Sequence, residues 1–169
     1  IQEIKFLCEK YGIRPLKKLG QNFLVDERIP KKMCEAAQLN DEDFVVEVGP
    51  GLGAVTREIA KRAKEVLAVE VDERMFAAAK EILAKYENVE LVHGDILKIP
   101  NSKLTNRENY KVVASLPYSI TSAVLRKFTE NVPRPSVCVF MVQKEVAQRF
   151  CAKPGEMSVL SVAVQFYGQ

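Results

Sequence analysis

Apolar residues recur along this chain at two spacings, and the switches between them lay out its elements. Ile4, Leu7, Cys8 and Tyr11 fall three and four apart, which predicts a short amphipathic helix over residues 2–11, closed by Gly12. Asp26 can cap a second helix running to about Gln38, with Ile29, Met33, Ala36 and Ala37 on one face and Pro30 in the first turn, where its missing amide costs little. Phe44-Val-Val-Glu-Val48 then predicts a buried strand, and Leu52, Val55 and Ile59 a helix behind it. The alternation continues with a strand from Glu65 to Val69 and a helix over 73–85 that buries Met75, Phe76, Ala79, Ile82 and Leu83. A third strand spans Val89 to His93, a polar stretch over 97–109 reads as irregular, and Tyr110 to Ala114 form a fourth strand. Ile120, Val124, Leu125 and Phe128 mark another helix. Pro133 and Pro135 break the chain before a fifth strand, Ser136 to Val142, and helical segments follow at about 143–151 and 157–167. Strands alternating with helices predict a doubly wound α/β sheet in one domain, without internal repeat or linker.

Composition narrows the class. With 169 residues, 47% hydrophobic and 28% charged, the chain is sized for one soluble globular domain. No apolar run approaches the roughly 18 residues of a membrane span, and an amino-terminal stretch holding Glu3, Lys5, Glu9 and Lys10 is no signal peptide, so a cytoplasmic or equivalent reducing setting is expected. Cys8, Cys34, Cys138 and Cys151 contain no Cys-x-x-Cys pair, and only His93 could join them. Neither a metal site nor a disulfide framework is indicated, and buried or half-buried free thiols are expected. The net charge of +3 lies entirely in the first 40 residues, where eight Lys or Arg meet five Asp or Glu. Lys10, Arg14, Lys17 and Lys18 fall within nine residues free of acids, which suits a phosphate-facing arm, although a solvated surface has the same composition.

Candidate chemistry collects where strands end. Gly49, Gly51 and Gly53 follow the first strand at once, so the backbone there can turn tightly and bring amides close to a ligand. The Gly-x-Gly-x-Gly spacing departs from the dinucleotide fingerprint, and a bare glycine turn would read alike. The second strand, however, ends in Glu70, about 20 residues on, where a carboxylate can accept from both ribose hydroxyls, and Asp72 can cap the next helix. The third ends in Gly94-Asp95-Ile96, and an acid there can accept from the exocyclic amine of an adenine. The fourth stops at Ser115-Leu116-Pro117-Tyr118. Proline fixes that turn and has no amide hydrogen, so neighbouring carbonyls can point inward as acceptors beside the serine oxygen, while Tyr118 offers a face on which a base can stack. Open parallel sheets bind ligands at these carboxyl ends, so the coincidence points to one nucleoside site. Gln21 and Asn22 can either lie over that ligand or simply cap and face water, with Phe23 and Leu24 as anchors.

Taken together, Leu19-Gly-Gln-Asn-Phe-Leu24, Glu47-Val-Gly-Pro-Gly-Leu-Gly53, Glu70-Val-Asp72, Gly94-Asp95, Ser115-Leu-Pro-Tyr118 and Gln143-Lys-Glu-Val-Ala147 resemble, in order and over almost the entire chain, the KsgA/RsmA-type small-subunit rRNA adenine N6,N6-dimethyltransferase family. The resemblance implies a Rossmann-like class I methyltransferase fold and S-adenosylmethionine as cofactor. By motif position it places Asn22 and Leu24 over the cofactor, Gly49 and Gly51 against its amino-acid moiety, Glu70 on the ribose hydroxyls, Asp95 on the adenine amine and Ile96 beside that ring. It further implies that target adenines of a hairpin loop near the 3′ end of small-subunit rRNA are unstacked onto Tyr118, with Ser115 and the carbonyls of Leu116 or Pro117 orienting the amine. The partner would be the immature small ribosomal subunit, with no membrane involved, and a monomer is expected.

Two departures bear on these expectations. The family usually has Asn at the positions of Ser115 and Ser119; a serine hydroxyl is shorter but still accepts a hydrogen bond, so activity is expected. Family members also continue with another strand and a small helical domain that helps grip RNA, so residues 1–169 read as one catalytic domain of a longer protein, with residues 1–24 as its basic arm. Other readings are a large-subunit rRNA methylase of the erythromycin-resistance type and a non-catalytic methyltransferase-fold factor that binds RNA or DNA in assembly or transcription. A dehydrogenase has only the glycine loop in its favour.

Overall fold

Five short strands, each followed by helix, assemble into one parallel sheet. The structure is a computed structural model and describes residues 2–13, 24, 26–104 and 109–168. In chain order the elements are α1 (Gln2–Lys10), α2 (Arg28–Ala36), β1 (Phe44–Val48), α3 (Ala54–Ala60), β2 (Glu65–Glu70), α4 (Glu73–Leu83), β3 (Val89–His93), α5 (Asn101–Leu104), β4 (Lys111–Ser115), α6 (Tyr118–Glu130), β5 (Val137–Met141), α7 (Lys144–Phe150) and α8 (Val159–Tyr167). The strand order is β3-β2-β1-β4-β5, all parallel, so the winding reverses between β1 and β4. In such sheets the crevice beside the reversal is where ligands sit.

The central strands are continuous apolar runs because both faces of the sheet are covered. Val45, Val66 and Val113 face Met33, Cys34 and Ala37 of the α2 region and Val55 and Ile59 of α3. On the other face Val46, Val48, Val69, Val112 and Ala114 meet Val124 and Phe128 of α6, with Leu104 of α5. Register sets the strand ends level: Val48 pairs with Val69 and Ala114, Glu70 with His93, and Ser115 with Met141.

Several details differ from the sequence expectations. Asp26 does accept the Arg28 amide at 3.0 Å, yet α2 starts only at Arg28, and Cys34 rather than Ala36 faces the sheet. The stretch expected to be irregular contains α5, whose Asn101 and Leu104 are buried because the Asn101 amide reaches the carbonyls of Asn131 and Pro133. All four cysteines are free, but Cys138 and Cys151 are exposed, one on the outermost strand and one after α7. Lys10 pairs with Glu81 of α4 at 2.6 Å, linking α1 to α4; Arg14, Lys17 and Lys18 lie outside the described residues. Among the described residues no helix is long and apolar enough to cross a membrane.

Candidate active site

The sheet's winding reverses directly behind the glycine loop. Gly49, Gly51 and Gly53 all have positive φ, at 68°, 55° and 72°. The turn they form is closed by the Gly49 amide on the Val69 carbonyl at 2.9 Å and the Gly53 amide on the Pro50 carbonyl at 2.8 Å. A Cβ at Gly49 or Gly51 would meet no protein atom within 4 Å, so this backbone fronts open space, whereas one at Gly53 would stand 3.0 Å from Leu83. The first two glycines therefore shape a cavity wall and the third permits packing.

That cavity, of about 390 Å³, has the size of a cofactor site. Its wall brings together Leu24, Gly49, Gly51, Glu70, Ser115, Leu116, Pro117 and Tyr118, eight residues expected from the sequence. A larger, more open depression of about 590 Å³ lies between Leu97–Ser102 and the far half of α6, away from the glycine loop and from Glu70.

Glu70 is buried at the end of β2. Its Oε2 accepts the Gly51 amide and its Oε1 the Asp72 amide, each at 3.0 Å. Burial pushes its carboxyl above the usual range, and these backbone donors pull against that. These two bonds hold the carboxylate at the cavity wall. Asp72 also caps α4 by accepting the amides of Arg74 and Met75.

A second acid is less obvious from sequence. Glu47 is only 2% exposed and lines the same cavity, and its Oε2 has no hydrogen-bond partner. Burial pushes it up to about 8; the Thr56 hydroxyl lowers it without reaching hydrogen-bond geometry, and the charge of Glu70 raises it further. An orphaned buried carboxyl at a cavity wall is a ready receptor for a cation, and a cofactor bearing ammonium and sulfonium groups fits it. The signal was a lone acid in an otherwise apolar strand. Arg57 and Val71 also line the cavity and were not anticipated; Val71 is 65% exposed.

The turn after β4 divides its two carbonyls. Pro117 sits at the N-cap of α6, and its carbonyl accepts from the Ile120 amide at 3.2 Å and the Thr121 hydroxyl at 2.9 Å. Among the described residues the Leu116 carbonyl and the Ser115 hydroxyl accept nothing. Of the two carbonyls expected to orient an amine, Leu116 is therefore the available one. Tyr118 opens α6 and is 58% exposed, its ring at the cavity wall.

Two expected residues are not in that wall. Asp95 turns back on its own loop, accepting the Leu97 amide at 2.9 Å with Lys98 Nζ 3.8 Å away, and Ile96 is 4% exposed within the core beside α6. Asn22 lies outside the described residues.

With this geometry in place, comparison with known proteins is decisive. A family model for ribosomal RNA adenine dimethylase matches residues 14–169. The chain belongs to that family. A ribosomal RNA small subunit methyltransferase A from Dehalococcoides mccartyi is 47% identical over 98% of the chain, and one from Alkaliphilus oremlandii is 42% identical over 98%. The chain spans 57% and 60% of those relatives. Among solved structures, the 23S rRNA methyltransferase ErmE superposes with a TM-score of 0.71 at 32% identity, covering 85% of this chain and 57% of ErmE. A dimethyladenosine transferase from Plasmodium falciparum also gives 0.71, at 29% identity, covering 85% of this chain and 52% of its own. The dimethylase family thus shares the Rossmann-like parallel sheet observed here.

Proposed function

We propose that this chain is the catalytic domain of an enzyme that transfers methyl groups from S-adenosylmethionine to the N6 amines of two adjacent adenines in the hairpin loop near the 3′ end of small-subunit rRNA. The observation that carries this reading is one cavity, at the winding reversal, walled by the orphaned Glu47, the amide-held Glu70 and the Ser115–Tyr118 turn. Identity of 47% with a small-subunit enzyme, against 32% with ErmE, favours the small subunit over the large as target. The immature small subunit in the cytoplasm would be the partner, and the enzyme a monomer. The exposed Val159 and Phe166 on α8 support a further segment beyond this domain.

In this reading Glu70 holds the ribose hydroxyls, Glu47 faces the ammonium group, Gly49 and Gly51 give the amino-acid moiety room, and Leu24 and Asn22 cover it. Val71, rather than Ile96, is the apolar plate against the adenine ring, and Asp95 takes the adenine amine. The bound cofactor supplies an electrophilic methyl group. Tyr118 stacks the unstacked target base. Ser115 Oγ and the Leu116 carbonyl accept the two amine hydrogens, which turns the nitrogen lone pair toward the cofactor side. Positioning then dominates, and no strong base is required of the chain. After one transfer a single hydrogen remains, so either acceptor can hold the amine as it turns for the second.

The test is methyl transfer by the full protein to purified small and large ribosomal subunits lacking the modification. Label confined to two adjacent small-subunit adenines supports the proposal; label in the large subunit favours the resistance-type activity, and none, with cofactor bound, favours a non-catalytic factor.

A further inference from the structure

One residue of the cavity wall has no part in the chemistry above. Gln143 stands two residues beyond the end of β5, where Met141 pairs with Ser115 and its carbonyl takes the Leu116 amide at 3.0 Å. That extra rung past the strands holds Gln143 beside the Leu116–Pro117 turn, in the wall that also contains Ser115 and Tyr118. Its backbone carbonyl opens α7 by accepting from Val146 and Ala147, each at 3.0 Å. Its side chain makes no capping bond, and the favoured N-cap residues are Ser, Thr, Asp and Asn. Gln143 is exposed at the cavity mouth and, among the described residues, its carboxamide has no partner, so it is free to meet a ligand there.

The chemistry of the target base supplies an account. The amine of adenine is flanked by ring nitrogens that only accept. The turn beneath the base offers acceptors: Pro117 has no N–H, and the Leu116 N–H is committed to Met141. A carboxamide is the complementary group, and glutamine recognises adenine elsewhere by donating to a ring nitrogen. We propose that Gln143 is a positioning and specificity residue, whose carboxamide N–H binds the ring nitrogen beside the amine and fixes the base's rotation over Tyr118. The proposal rests on the reading of this cavity as an adenine methylation site. It explains selection of adenine over guanine or hypoxanthine, whose N1 carries a hydrogen and whose amine is replaced by a carbonyl.

The experiment uses the full protein and small subunits reconstituted with a synthetic 3′ rRNA segment bearing adenine, 1-deazaadenine or 7-deazaadenine at the target. Gln143→Ala is expected to lower kcat/KM roughly 10-fold, the loss of about one hydrogen bond, with cofactor affinity and thermal stability unchanged. Gln143→Glu, similar in size but unable to donate, should fall at least as far. 1-Deazaadenine should slow the parent by a similar factor and slow Gln143→Ala no further, because both remove the same bond, whereas 7-deazaadenine should affect parent and variant alike. Equal penalties in parent and variant for both analogues, or full activity of Gln143→Glu, would overturn the assignment. A parent that binds cofactor but methylates no adenine would overturn the reading of the site, and this assignment with it.

Discussion

Replacing Glu47 by Gln should make the cofactor-free protein more stable and the enzyme worse. The carboxyl is moved by burial from an ordinary 4.5 to about 8, so between those values the folded protein keeps a proton that the unfolded chain has released. Unfolding then releases protons, and stability falls as pH rises across the window, levelling off above 8. At 1.36 kcal/mol per pH unit, the cost is on the order of 3 kcal/mol at pH 7 and 5 kcal/mol above pH 8. The isosteric amide is neutral at every pH, so its own burial contributes a constant and the change with pH isolates the carboxyl. In a chain of 169 residues, the melting temperature of Glu47→Gln should gain on the parent by about 10 °C between pH 5 and pH 8. The same variant should bind S-adenosylmethionine roughly 10- to 100-fold more weakly, since it loses a bond to a charged group. Thermal unfolding at four pH values from 5 to 8 checks the first claim. A constant difference between variant and parent would mean that burial does not hold the Glu47 carboxyl neutral in the folded protein, and unchanged cofactor affinity in the variant would mean that the carboxyl is no receptor for a cation.

Other sites give separable outcomes. Tyr118→Ala should weaken RNA-dependent turnover by the ~1–3 kcal/mol of a base–aromatic stack, while Tyr118→Phe stays near the parent, measured as kcat/KM on small subunits. Ser115→Ala should lower kcat without changing cofactor affinity, and a variant as fast as the parent would remove that oxygen from the mechanism. Gly49→Ala places a Cβ in open cavity at a φ of 68°, so it should cost ~1–2 kcal/mol of stability in urea unfolding and also impair cofactor binding.

The elements that frame the cavity were legible because they obey local rules. Buried parallel strands read as apolar runs, three glycines demanded left-handed backbone, and Glu70 closes a strand while Asp72 caps the helix after it. What escaped depends on distant partners. α5 exists because Asn101 reaches carbonyls 30 and 32 residues away, which no local spacing reveals. Glu47 reads as one more polar residue until the packing shows that nothing pairs with it. Of the two carbonyls open to an amine, that of Pro117 is taken up by the start of α6, and the loop after β3 folds Asp95 onto Leu97 and places Ile96 in the core, contacts that local spacing does not reveal.

The claim on which everything else depends is that this cavity binds S-adenosylmethionine, and calorimetric titration of the protein and of Glu70→Ala tests it most directly. Binding by the parent with one site, weakened roughly 10- to 100-fold when Glu70 can no longer hold the ribose, is the predicted result. Equal affinity in both proteins, or no binding by a parent shown to be folded, would contradict it.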